Sequence, residues 1–430
     1  MAPPPVATSA ALPAEELSAR ARNWRLAVFG ATWLSYAGFY FCRKPFSVAK
    51  SSMADTLHLD GTTLGALGAI YLIAYTVGQF AAASGIARLG PRRLLLIGMA
   101  VAVLANAGMA IGGSAAVLAA LMAVNGLAQA TGWSGNVAAM ARWYRREERG
   151  RVMGLWATNF QAGPAVAALG VSWVLGQAGY AWAFYAGSAV LVVVWVIFWF
   201  AQRDRPEDVG LPAIVIDTEP QEGGGSWGGL DRRAWISVIL VGTWYFFMKF
   251  IRYAVTSWAP FLLVRYFQEA PDVAGYLSTV FEVAGVFGVV LTGWLSDRYF
   301  GSRRTGVSLV MTALMGLACV LLAGPGASSV LLFTVCIGLV GFAEYGPDAL
   351  MTGAAAMDIG SARAAGTAAG VINGMGSLGA VVQELVIGRT VDVKGGDLAP
   401  ILTMLVASSI AAVVLLVVMV VRQRTGRSDV

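Results

Sequence analysis

Twelve stretches of about twenty mostly apolar residues follow one another along the chain. They lie at 26–50, 62–85, 93–111, 115–141, 151–176, 180–202, 235–267, 272–296, 306–324, 328–352, 364–388 and 398–421. Each is long enough to cross the hydrocarbon of a bilayer as a helix. A backbone in lipid must satisfy its own hydrogen bonds, so the pattern predicts an all-α integral membrane protein with twelve transmembrane helices. Charged residues make up 13% of the chain and the mean hydropathy is +0.68. A soluble domain carries about 25% charge, so this chain has too few polar side chains to cover a soluble surface. That excludes an ordinary soluble enzyme, a disordered chain and a disulfide scaffold. Glycine, at 52 of 430 residues, suits close helix packing in lipid. Cys42, Cys319 and Cys336 lie in apolar stretches without a CxxC spacing and read as small buried hydrophobes. No metal-ligand cluster, nucleophile–base set or P-loop motif occurs, so neither enzyme chemistry nor a cofactor is expected.

The polar segment 203–234 divides the spans six and six and reads as a cytoplasmic linker between an N-terminal half, 26–202, and a C-terminal half, 235–421. Residues 1–25 and 422–430 read as tails, the first twenty or so Pro/Ala-rich, mobile and uncleaved. Of the 30 Lys and Arg, 22 fall in the tails, the linker and alternate loops, whereas the intervening turns near 112–114, 177–179 and 325–327 have none. By the positive-inside rule both termini are expected in the cytoplasm and the chain in the cell (inner) membrane. The basic balance is a topology signal, and nucleic-acid binding is not expected. The loops 85–93 and 293–304 echo each other, their arginine pairs 211 residues apart. Parallel six-helix repeats about a membrane-normal axis predict two pseudo-symmetric halves of the major facilitator plan, with the substrate site near mid-membrane.

Charged residues inside spans are costly and mark function. Lys50, Arg265, Arg389 and Lys394 stand near outer span ends and are expected to snorkel to water. Arg43, Lys44, Lys249 and Arg252 are deep. Arg43 and Arg252 lie 209 residues apart, close to the repeat offset, so one arginine from each half should reach a similar depth across the central axis. Two facing guanidiniums repel unless an anion lies between them, and the planar fork matches phosphate oxygens. Lys44 and Lys249 are expected instead to pair with buried acids, Lys249 remaining a candidate for the substrate site as well. Glu282, Glu344, Asp348 and Glu384 are the candidates, with Glu282 expected to hold Lys249. Tyr36, Tyr40 and Arg43 share a face of span 1, and Tyr71 and Tyr75 one of span 2. Asn159 and Gln161 in span 5, Tyr345 in span 10 and Asn373 in span 11 could hydrogen-bond a polar organic group.

The stretches YAGFYFCRKPFSVAK (36–50), NGLAQATGWSGNVAAMARWY (125–144), RYAVTSWAPFLL (252–263), FEVAGVFGVVLTGWLSDR (281–298), GFAEYGPDALMTGAA (341–355) and AAGTAAGVINGMGSLG (364–379) extend over most of the chain. Here the sequence resembles the organophosphate:phosphate antiporters of the major facilitator superfamily. The resemblance implies that Arg43 and Arg252 clamp a phosphate, supported by Tyr36, Tyr40, Tyr75 and Tyr345. The glycerol- and hexose-phosphate branches usually carry a span-5 His and a span-2 Lys, where this chain has Phe160 and Gln79. The NGLAQATGW stretch leans toward the sugar-phosphate branch.

The expected function is a membrane carrier, working as a monomer, that exchanges a small organophosphate of the sugar-phosphate or glycerol-phosphate type for inorganic phosphate by alternating access. Two alternatives stay open. One is a membrane sensor of a sugar phosphate. The other is a proton-coupled organic-anion symporter using Glu282, Asp348 or Glu384.

Overall fold

The computed structural model describes residues 14–144, 146–212, 232–299, 304–354, 362–393 and 397–425. The tail ends, linker residues 213–231, Arg303 and Lys394 lie outside the described residues. The described chain is helical and arranged as the twelve-span plan requires. Ten helices are long and apolar enough to cross a membrane on length and composition. Two spans complete the twelve. Span 1 is broken into several helices, and span 5 (Asn159–Ala178) carries Asn159 and Gln161 near its start. The first helix begins at Ala14, well before residue 26.

Large apolar side chains cover the outside, among them Phe80, Leu104, Phe200, Val290 and Leu331. In water such a surface would be prohibitive; in lipid it is the contact surface. The buried apolar residues form one large cluster in the C-terminal half and smaller ones in the N-terminal half. The three cysteines are free and buried, as their apolar settings predicted.

The halves meet at the ends away from the arginine-bearing loops. Spans 2 and 11 pack backbone to backbone there. A Cβ on Gly61 would lie 2.6 Å from the Gly388 carbonyl, and one on Gly65 would collide with the Glu384 carbonyl. Only a residue without a side chain permits that approach. Asp392 of span 11 accepts hydrogen bonds from the Gly61 and Thr62 amides, both at 2.7 Å, and from the Thr62 hydroxyl at 2.5 Å. A carboxylate of one half thereby caps a helix N-terminus of the other, alongside that helix's own cap from Asp60. Gly275 of span 8 rests against Ser172 of span 5 on the same side.

Candidate functional site

A cavity of about 710 Å³ lies between the halves, and residues of both line it. Its N-terminal wall follows from a break in span 1. Pro45 has no amide hydrogen to continue the helix, and the chain passes through a 3-10 turn, Tyr40–Cys42, before resuming at Lys44–Val48. The Cys42 carbonyl is thereby free of a helical partner. It accepts from Asn125 Nδ2 at 2.8 Å and Gln129 Nε2 at 3.0 Å, both on span 4. That fixes the Gln129 amide, whose oxygen accepts from Arg43 Nε at 2.9 Å and from the Tyr71 hydroxyl at 3.1 Å. The Arg43 guanidinium lies over the rings of Tyr40 at 4.8 Å, Tyr75 at 5.1 Å and Tyr71 at 5.8 Å. Its surroundings are thus a neutral amide and aromatic faces, which hold a cation without cancelling its charge. None of the ion pairs among the described residues includes Arg43.

The C-terminal wall is built differently. Arg252 of span 7 is buried and donates from Nη1 to Asp348 Oδ2 at 2.5 Å. Its guanidinium stacks on Tyr345 at 4.3 Å and on Phe160 of the other half at 4.8 Å. Asp348 follows Pro347, where span 10 gives way to a wider π turn, Leu350–Ala354. Lys249, one turn before Arg252, donates to Asn373 Oδ1 at 2.9 Å and lies 4.8 Å from the centre of the Tyr245 ring. Asn373 in turn reaches Gln79 of span 2 at 3.5 Å.

Toward the closed side the halves are tied by buried ion pairs. Lys44 of span 1 pairs with Glu282 of span 8. Lys50 is fully buried, 3.4 Å from Glu384 of span 11 and 2.8 Å from the Ser257 hydroxyl of span 7. Its ammonium sits 3.8 Å over the Trp258 ring, and the Trp258 indole also donates to Glu384 at 2.8 Å.

The structure therefore gathers Arg43, Arg252, Tyr36, Tyr40, Tyr75, Lys249, Gln161, Tyr345 and Asn373 around one cavity, with Glu282, Asp348 and Glu384 also on its wall. It corrects four expectations. Lys249 does not pair with Glu282; Lys44 takes that acid, because span 1 enters the interface beside span 8. Arg252 is not a bare partner of Arg43, since Asp348 opposes it. Lys50 does not snorkel to water: the chain stays helical to Leu57, so residue 50 is inside the protein. Asn159 does not reach the cavity. It is fully buried elsewhere in span 5, its amide atoms without a hydrogen-bond partner among the described residues. Arg265 is exposed, as expected of a span-end cation. Sequence reasoning missed the role of Gln129. The signal was present in Asn125 and Gln129, two amides one turn apart in an apolar span.

The Major Facilitator Superfamily model matches residues 28–384. The chain belongs to that superfamily. Its similarity to relatives is spread over nearly its full length. It is 28% identical over 426 residues to the glycerol-3-phosphate transporter of Bacillus subtilis, covering 93% of both chains. It is 26% identical over 409 residues to a probable hexose phosphate transport protein of Chlamydia pneumoniae, covering 89% of this chain and 88% of that one. The Escherichia coli membrane sensor protein UhpC is 28% identical over 395 residues, with 88% of each covered. Among solved structures, a D-xylose-proton symporter superposes with a TM-score of 0.72 at 13% identity, covering 91% of this chain and 97% of that one. The nucleoside transporter NupG superposes at 0.69 and 14%, covering 93% and 98%. At such identity the structures establish the fold alone: a multi-pass membrane protein of the major facilitator type.

Proposed function

We propose that this superfamily member is an antiporter that exchanges a small phosphate ester for inorganic phosphate by alternating access, with Arg43 and Arg252 as the phosphate clamp. The observation that carries this reading is Arg43: a cation on a cavity wall, held by an amide and three aromatic rings, with its charge uncancelled. A phosphate placed between the walls would take Arg43 from one half and the remaining donors of Arg252 from the other. Arg252 has five N–H donors, and Asp348 occupies one nitrogen. Lys249 supplies a further cation, and Tyr36, Tyr40, Tyr75, Gln161, Tyr345 and Asn373 supply neutral polar groups for the organic part. The names of the relatives support a phosphorylated substrate.

In this reading the chain sits in the cytoplasmic membrane as a monomer, both tails and the linker 203–234 on the cytoplasmic side, following the arginine distribution. The structure then corresponds to the state closed toward the outside. An anion joining Arg43 to Arg252 would draw the halves together on the other side as well, so reorientation is fast only when the site is filled.

The test is counterflow in liposomes holding the purified chain and loaded with inorganic phosphate. Labelled phosphate esters should accumulate, and uptake into phosphate-free vesicles should be slow. Rapid uptake driven by a pH gradient alone would replace this reading with symport. Binding without turnover would favour a sensor, the second reading, which the similarity to UhpC supports.

A further inference from the structure

Glu344 is the one buried carboxyl among the described residues with neither oxygen hydrogen-bonded. It sits on span 10, fully buried, one turn before Asp348. Its electrostatic neighbours are Arg252, Lys249 and Asp348. Tyr245 of span 7 and Tyr345 of its own helix also face it. Span 8, packed against span 10, brings Glu282, which faces Tyr345 and is bound to Lys44. From span 9 the Cys319 thiol lies against Cys336, two turns away. The other three buried acids each have a partner: Glu282 has Lys44, Glu384 has Lys50 and Trp258, and Asp348 has Arg252. Glu344 has no donor to secure a negative charge, so only the field of Arg252 and Lys249 favours its ionisation.

The charges of the central region sharpen the point. Arg43, Lys44, Lys50, Lys249 and Arg252 face Glu282, Glu344, Asp348 and Glu384 there, five cations against four carboxylates. The region carries a net charge of +1 when all are ionised. A phosphate dianion would turn that into −1 in a low-dielectric interior, and one added proton restores neutrality. The dianion also screens Arg252 and Lys249, the two cations whose field favours ionised Glu344.

Resting on the phosphate reading above, we propose that Glu344 takes up one proton when a phosphate dianion binds, so that a proton accompanies each anion across the membrane. The Glu344 carboxylate becomes a neutral acid, the proton coming from cavity water by way of the neighbouring Asp348 carboxyl, which lines the cavity. When the anion leaves, the two cations regain their field and the proton returns to water. Because the proton rides with either anion, exchange stays balanced in charge and in protons.

The experiment is calorimetric titration of the purified full-length chain with glycerol 3-phosphate at pH 8, in buffers of different ionisation enthalpy. A phosphate monoester is a dianion there, its second pKa being about 6. The buffer dependence of the binding enthalpy counts the protons. A net uptake of protons, up to one per phosphate bound, should accompany binding. Glu344→Gln should bind with the uptake lost, and Glu344→Asp should retain it. Uptake that persists in a folded Glu344→Gln protein would place the proton elsewhere, on the phosphate or on Lys249, and overturn the proposal. So would wild-type binding without uptake, whatever the variants do, and that outcome would leave the phosphate reading standing. Failure of the wild type to bind this ester or inorganic phosphate would overturn both.

Discussion

Arg43 and Arg252 occupy matching places in the two halves but not matching surroundings. Arg43 is held by Gln129 and tyrosine rings, Arg252 by a carboxylate. Under the phosphate reading the two should respond differently to substitution. Arg43→Lys keeps a charge but loses the fork that spans Gln129 and an anion. We predict a loss of about 1.5–3 kcal/mol, or roughly 10- to 100-fold in phosphate affinity. Arg252→Lys should weaken phosphate affinity as well, and in addition should lower thermal stability, because Asp348 would lose its 2.5 Å partner. Direct binding and thermal-shift measurements on both variants separate the effects; wild-type affinity in Arg43→Lys would remove Arg43 from the site. The arginines were legible in the sequence because a charge in an apolar span stands out. Their partners were not. Asp348 lies 96 residues from Arg252 and Glu384 lies 334 from Lys50, and nothing in the linear pattern says which acid faces which cation.

The apolar stretches located the spans well because twenty apolar residues in lipid have few structural options. They could not show where a helix breaks inside a span, since a segment apolar all round carries no facing periodicity to interrupt. Two such breaks make the site: the turn at Tyr40–Cys42 that aims Arg43 through Gln129, and the π turn after Pro347 beside Asp348. Pro45 and Pro347 were the readable hints. Spans 2 and 11 depend on another local feature, the contact of Gly65 with the Glu384 backbone. Gly65→Val forces these helices apart and should disfavour the state seen here. A cysteine placed at Ser257, which lines the cavity, should then react several-fold faster with an impermeant thiol reagent applied from the side where spans 2 and 11 meet. The three native cysteines are buried and give a low background. An unchanged labelling rate would show that the glycine contact does not hold the side closed.

The seam between the halves is sealed by paired groups as well as by packing. Lys50 and Glu384 belong to different halves and are both buried, so removing one strands the other. Lys50→Met or Glu384→Gln alone should cost about 3–5 kcal/mol, and the double variant should recover much of it. A thermal-stability cycle of the four proteins checks this, and strictly additive losses would mean that the two charges do not act as a pair. The direction of the pairing matters beyond its strength. In the three ties nearest the core of the closed side the donor comes from the N-terminal half: Lys44, Lys50, and the Gly61 and Thr62 amides; among the ion pairs of the described residues only the exposed Arg265–Asp55 pair, at 4.0 Å, runs the other way. The acceptor in these three comes from the C-terminal half: Glu282, Glu384 and Asp392. When this side opens, the seam parts into a positive lip and a negative one. Under the phosphate reading, an anion arriving at this side would be drawn to the first and repelled by the second, and would land on the Arg43 wall before Arg252 could reach it. On that reading the order of capture would follow from the polarity of the seam.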